Sequence, residues 1–380
     1  MERNVSQMKR VCVYAAAVAA GFAMAGEQVR NLPSCARGER RLAVPKDPVW
    51  PSEPGEASVC LWHDDRTAAF AITIDDNCRP DHDWWLRLSE ELGLKLTWFV
   101  ITDKIGGANA GFDGTWADWQ RLADAGHSIQ SHTTNHTSSK SKGSALTDDE
   151  LDAMYGDSLK ALNANLKNNR ACCIAYPRGE AHPEIAAKYA IAARGTSGVP
   201  DAADRIDYLC TNAGGGLGTA EMLVNGTTDK GPKWLASKSH LKRGWAVSLY
   251  HLVHHGRTPE AQAEAAAKVE AEIRAIAALK DRLWIGRFDD VARYGQERDT
   301  AVLKVTAADA DRIAFDLADR MDDGLFDFPL TVKVRLPDGW RSVKAKQGGT
   351  SVPARVVEHG GHPYALVSVI PDRGQIVLAK

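Results

Sequence analysis

The chain has 380 residues, with 47 Lys and Arg against 49 Asp and Glu and a formal net charge of −2. That balance excludes a strongly basic nucleic-acid binder as a first reading, because phosphate binding normally shows as a cationic excess. Hydrophobic residues at 44% and charged residues at 25% are ordinary globular composition, and no apolar run approaches the ~20 residues that span a bilayer.

Arg3, Lys9 and Arg10 precede an uncharged, Ala-rich stretch, Val11 to Ala25, that closes on Ala23-Met24-Ala25. A basic head, a short apolar middle and a small-residue exit predict a signal peptide over 1–25 and a secreted or periplasmic product. Its removal takes Cys12 and leaves Cys35, Cys60, Cys78, Cys172, Cys173 and Cys210. An even count in an exported chain permits disulfides; buried free thiols are the alternative. Residues 26–66, with Pro33, Pro45, Pro48, Pro51 and Pro54, read as an extended leader.

From Ala68 the texture changes. Ala68 to Ile74 is a short apolar run that predicts a buried strand, followed by a helix over 81–94. Further strands are predicted at 96–101, 128–131, 172–176, 245–253 and 283–286. Helices are predicted at 116–125, 147–168, 183–192, 259–279 and 289–298. Thr147 with Glu150 three residues on is a capping-box signature. Alternating strands and helices imply a parallel sheet, open or closed into a barrel, over 67–299. After residue 300 the period changes from 3.6 to 2, as in Ile313, Phe315 and Leu317 or Leu330, Val332 and Val334. Residues 300–380 therefore predict an all-β sandwich.

Three features fall at strand C-terminal ends, where α/β folds place their sites. Asp75-Asp76 directly follow the first strand; two acids this close need a cation or a shared proton. His132 and His136 follow the strand at 128–131, and their i, i+4 spacing suits one metal if the segment turns helical. His251 ends the strand at 245, with His254 and His255 just beyond. One carboxylate and two imidazoles form a divalent-metal triad with open positions. The second Asp is then free to act as base, and a His on another strand end to protonate a leaving group. Asp289-Asp290 reads as a helix cap, His63-Asp64-Asp65 as surface loop, and Gly214 to Gly218 as a mobile loop. Trp84, Trp85, Trp116, Trp119, Trp234 and Trp245 invite a carbohydrate reading, as do Trp340 and Tyr364 in the C-terminal module, although most buried Trp is core.

Thr73-Ile74-Asp75-Asp76-Asn77 resembles the TFDDG motif of the polysaccharide deacetylases, carbohydrate esterase family four, whose catalytic unit is the NodB homology domain. His132-Thr133-Thr134-Asn135-His136 resembles their H-[ST]-x-x-H. Ala175-Tyr176-Pro177-Arg178-Gly179 is similar to the third motif, and Leu249-Tyr250-His251 to the fifth. The resemblance runs in order over residues 68–298. It implies a distorted (β/α)7 barrel that removes an N- or O-acetyl group from an acetylated oligo- or polysaccharide. Asp76, His132 and His136 would hold the metal, usually Zn2+, with Co2+, Ni2+ or Fe2+ as alternatives. Asp75 would be the base, the Arg178 backbone N–H an oxyanion donor and His251 the acid. Tyr176, Pro177 and Trp245 are the candidate substrate contacts. Two departures stand out. Ala175 occupies the place of the arginine that orients the base, with Arg178 and Arg194 as possible substitutes, and Asp207-Tyr208 is the nearest match to the fourth motif. The alternatives are a related metal-dependent amidase or esterase on a non-sugar substrate, and a catalytically silent carbohydrate-binding protein.

Overall fold

The computed structural model describes residues 27–33, 40–196 and 198–380. The predicted signal peptide, Cys12 and Cys35 lie outside these residues. The barrel is built on β1 (Ala68–Ile74), β2 (Thr97–Val100), β3 (Ser128–Ser131), β4 (Cys173–Ala175), β5 (Ala192–Arg194), β6 (Trp245–Tyr250) and β7 (Leu283–Ile285). All seven residues of β1 are buried, which is why its sequence is a continuous apolar run rather than an alternation.

The strands are parallel in the order β5-β4-β3-β2-β1-β6. β6 pairs one edge of β1 from Ala69 to Ile74. The other edge is shared, with β7 pairing Ala68 to Phe70 and β2 pairing Thr73 and Ile74. The gap between β5 and β6 is bridged by irregular backbone. Ala193 N–H donates to Tyr208 O, Thr211 N–H to Ala193 O, and both Gly214 and Gly215 N–H to Val247 O. The sheet thereby curls back on itself as a distorted (β/α) barrel.

Helices cover the outside. Thr147 accepts from the Glu150 N–H, and the Glu150 carboxylate accepts from the Thr147 N–H, opening the helix Asp148–Asn165; such caps contribute ~1 kcal/mol. The predicted helices at 259–279 and 289–298 are found as Pro259–Ala277 and Phe288–Thr300. The helix predicted over 183–192 is a single turn, Pro183–Ala186, after which the chain enters β5. Three-residue strands are too short to show a period, so β5 has no signal of its own in the sequence. The glycine-rich stretch likewise opens a helix, Leu217–Asn225.

Residues beyond 300 form two antiparallel sheets. One orders the strands 57–59, 330–335, 362–369 and 354–359; the other orders 350–352, 344–347, 376–379, 312–318 and 302–308. The strand Ala57–Val59 comes from the leader and pairs with 330–335. Ile313, Phe315, Val332, Val367 and Leu378 form a core continuous with Trp62, Phe288 and Tyr294, so sandwich and barrel share one apolar seam. Trp340 and Tyr364 are buried in that module. Trp340 Nε1 donates to Ala310 O and the Tyr364 hydroxyl to Pro51 O. They pack the module together and form no exposed sugar platform. Cys60, Cys78, Cys172, Cys173 and Cys210 are all unbridged. No helix among the described residues is long and apolar enough to cross a membrane.

Candidate active site

The C-terminal ends of the barrel strands open on a cavity of about 550 Å³ lined by Asp75, Asp76, His132, His136, Tyr176, Arg178, Thr196, Gly214, Leu249 and His251. Backbone turns set this up. Asp75 N–H donates to Tyr250 O, tying the ends of β1 and β6 together. Asp76, Asn77 and Cys78 then adopt φ of 59°, 67° and 43°, a left-handed run that only unusual local support maintains. Asn77 provides it: its Oδ1 accepts from Ile101 N–H at 2.8 Å, and its Nδ2 donates to Asp113 O at 3.1 Å. Asn in place of the motif glycine therefore locks the turn to the end of β2.

His132 follows β3 directly. Its Nδ1 lies 2.8 Å from Ala175 O, where it donates, leaving the Nε2 lone pair facing the cavity. The loop to His136 is not helical, contrary to the expectation from the i, i+4 spacing. Thr133 and His136 take φ of 68° and 59°, and Thr133 Oγ1 accepts from His136 N–H at 3.0 Å. This curl turns both imidazoles to the same point. His132 Nε2 is 3.6 Å and His136 Nε2 3.7 Å from Asp76 Oδ1.

One ligand atom each from Asp76, His132 and His136 lie within 4.8 Å of one another. Asp76 Oδ1 is buried with no hydrogen-bond partner, a costly state for a carboxylate oxygen unless a cation completes it. Burial depresses the imidazole pKa of both His132 and His136, which keeps them neutral and able to ligate. The donor set of one carboxylate and two imidazoles fits a divalent transition metal.

Asp75 is chemically separate from this trio. Burial would raise its carboxyl, but Arg194, and next His132, outweigh that and hold it below the usual carboxylate range. Arg194 Nη2 reaches both Asp75 oxygens at 2.5 and 2.6 Å, and both residues are buried. Of the two arginines the sequence left open, Arg194 at the end of β5 is the one that orients Asp75. Small Ala175, on neighbouring β4, faces the same buried space and instead offers its carbonyl to His132.

His251, directly after β6, lines the same cavity, half-exposed, with Nε2 3.6 Å from Asp76 Oδ2. Its neighbours are committed elsewhere. His254 Nδ1 is 2.6 Å from buried Asp81 Oδ1, and His255 Nδ1 faces the Leu252 and Val253 carbonyls. Arg178 lies on the wall at φ 56°, with Pro177 buried beneath it. Gly179 must lack a side chain, because a Cβ there would sit 2.3 Å from Thr196 Oγ1. Tyr176 presents a buried ring to the cavity and donates its hydroxyl to Leu209 O.

Trp245 is a correction. It starts β6 at the opposite end of the strand, fully buried, with its ring 5.1 Å from Phe288. It is core and does not reach the cavity. Tyr208, the fourth-motif candidate, is buried and donates to Asp299 Oδ2. Asp289 pairs with Arg293 at 2.7 Å and Asp290 with Arg287 at 2.6 Å in the first turn of their helix, away from any histidine. Gly214, from the glycine-rich stretch, lines the cavity, and so does Thr196, which the sequence did not mark; it follows β5, a strand too short to read.

Residues 63–193 match the family described as polysaccharide deacetylase. Over that stretch the chain is similar to the polysaccharide deacetylases. A gellan lyase from Bacillus sp is 39% identical over 368 residues, covering 92% of this chain. The chain spans only 14% of that relative's length. Among solved structures, a family 4 carbohydrate esterase from Streptomyces lividans, in complex with acetate, is 16% identical, with 58% of this chain and 93% of that one covered and a TM-score of 0.36. A family 4 acetyl xylan esterase from Clostridium thermocellum is 16% identical over 57% of this chain and 98% of its own, with a TM-score of 0.31. The matched stretch thus spans the motif-bearing strands β1 to β4 and reaches the edge of β5.

Proposed function

We propose that this chain is an exported, metal-dependent hydrolase that removes acetyl groups from an acetylated glycan. The observation that carries the reading is one cavity holding two differently prepared carboxylates: Asp76 among two neutral imidazoles, and Asp75 clamped by Arg194. The family match supports the reaction class, and the basic head and Ala-rich stretch at 1–25 support export. The name of the Bacillus relative supports a polysaccharide as substrate. Its lyase activity is not carried over, because the aligned stretch is a small part of that protein.

Asp76, His132 and His136 would hold the metal, with zinc first by donor type. Bound there, it supplies Lewis-acid chemistry, easing deprotonation of water and polarising an acetyl carbonyl. Asp75 accepts the proton of the attacking water. Arg194 keeps it ionised and fixes the direction of its lone pairs. The Arg178 N–H donates to the oxygen that becomes negative as the carbonyl turns tetrahedral; one such donor typically contributes ~10²–10³ in rate. His251, the half-exposed group at the end of β6, protonates the departing amine or alcohol oxygen. Tyr176 shapes the floor.

The test is acetate release from a panel of acetylated glycans, with added zinc and with chelator. Release that vanishes with chelator and returns with metal is expected. Chelator-insensitive release would sink the metal-dependent reading. No release from any glycan, with metal bound, would shift the reading to an amide or ester hydrolase on a non-sugar substrate.

A further inference from the structure

The charges inside the cavity pair off, with one exception. Arg194 is spent on Asp75. Asp76 is shared by three histidines. Glu180, two residues beyond Arg178, accepts from Ser139 N–H at 2.9 Å and faces His182 Nε2 at 3.3 Å. Arg178 remains: it is exposed on the cavity wall, and its guanidinium makes no hydrogen bond or ion pair among the described residues. Its backbone is held rigidly. Tyr176 N–H donates to Arg194 O, Gly179 N–H to Tyr176 O and Glu180 N–H to Pro177 O. A left-handed φ of 56° at an arginine is uncommon. It is kept here although the turn would suit glycine or asparagine better. Lys104, in a separate hollow, is less informative, because Asp103 and Asp113 line the same hollow and offset it.

An unpaired guanidinium on a fixed turn, beside a catalytic cavity, is preorganised for a bidentate contact with a planar carboxylate. We propose that Arg178 reads a carboxylate on the substrate, so that the glycan accepted here carries uronic acid residues at or next to the acetylated sugar. This rests on the deacetylase reading and adds the substrate's charge. The backbone N–H of Arg178 serves the reaction; its side chain serves selection.

The experiment has two arms on the full chain. In the first, kcat/KM for acetate release is compared between an acetylated oligouronate and an acetylated neutral xylo-oligosaccharide, with zinc present. In the second, the chelated protein is titrated with the corresponding unacetylated oligosaccharides, so that no carboxylate can bind through the metal. A preference of at least about 10-fold for the uronate in both arms is expected, weakening as salt is raised. Arg178→Gln should cut that preference by about 10-fold or more, and Arg178→Lys should retain part of it. Arg178→Asn removes the same charge in a residue that tolerates the turn, and guards against misfolding of the glutamine variant. Equal handling of both glycans, or an unchanged preference in the charge-removing variants, would overturn the proposal while leaving the deacetylase intact. A binding preference without acetate release from either glycan would overturn the deacetylase reading and leave the carboxylate site standing.

Discussion

Two buried carboxylates in this molecule have opposite fates. Asp75, at the mouth of the barrel, is 2% exposed, and Glu297, in the seam between barrel and sandwich, is 1% exposed. Burial pushes both carboxyls up. At Asp75 the Arg194 guanidinium, two hydrogen bonds long, reverses the push and leaves an anion. At Glu297 neither oxygen has a partner. Burial, with Asp319 as the next cause, raises its carboxyl to about 10, so the group is a neutral acid at pH 7. The same side-chain chemistry becomes a base in one place and inert packing in the other, and a single contact decides which. Depth alone says nothing about catalytic use.

The comparison is broken most severely at Asp75 itself. Asp75→Asn removes the base while preserving its shape, and acetate release should fall by ~10²–10⁴ at unchanged metal content; a smaller loss would move the base elsewhere. Arg194→Met turns the barrel site into a second Glu297. Removing one partner of a buried pair typically costs ~3–5 kcal/mol, which urea denaturation would read. The pH dependence should change with it. In the wild type the depressed Asp75 carboxyl contributes stability above its unfolded value, and this is lost only as pH falls through the lower folded value. In the variant the carboxyl rises, so the acid limb of the rate profile should move to higher pH. An unmoved limb would show that Asp75 is not the group titrating there.

The smallest effect on activity is expected at Glu297. A raised carboxyl binds a proton that the unfolded chain has released, so stability is fully present below the ordinary value of 4.5 and declines as pH rises toward about 10. The slope from one such proton is ~1.4 kcal/mol per pH unit. Glu297→Gln should flatten that decline between pH 6 and 9 with little change in kcat. An equal slope in both proteins would mean that Glu297 has a partner when folded.

Much of this was legible from residue order. β1 announced itself because a strand buried on both faces must be apolar throughout. Asp75, Asp76, His132, His136 and His251 were found because strand ends are where parallel sheets expose polar groups. Other features were not legible. β5 is three residues of Ala-Ala-Arg, with no period to detect, so Arg194 was one of two candidates and could not be chosen. His132 and His136 were read at helical spacing, whereas left-handed residues curl the loop. Trp245 looked like a sugar contact because sequence shows the residue type but not which end of a strand faces the cavity. The leader was seen as an extended segment, yet its strand at 57–59 finds its partner in the sandwich only through pairing with residues at 332–334, far along the chain.

The sequence by itself determined the alternation of strands and helices, the change of period after residue 300 and the kinds of side chain available for chemistry, because local propensity and periodicity are written in neighbouring residues. Only the tertiary structure decided which arginine neutralises Asp75, which histidines share Asp76 and which guanidinium is left over. Those outcomes depend on distances between strands that are remote in sequence, and the strength of a charge interaction is set by that separation and by the water excluded around it.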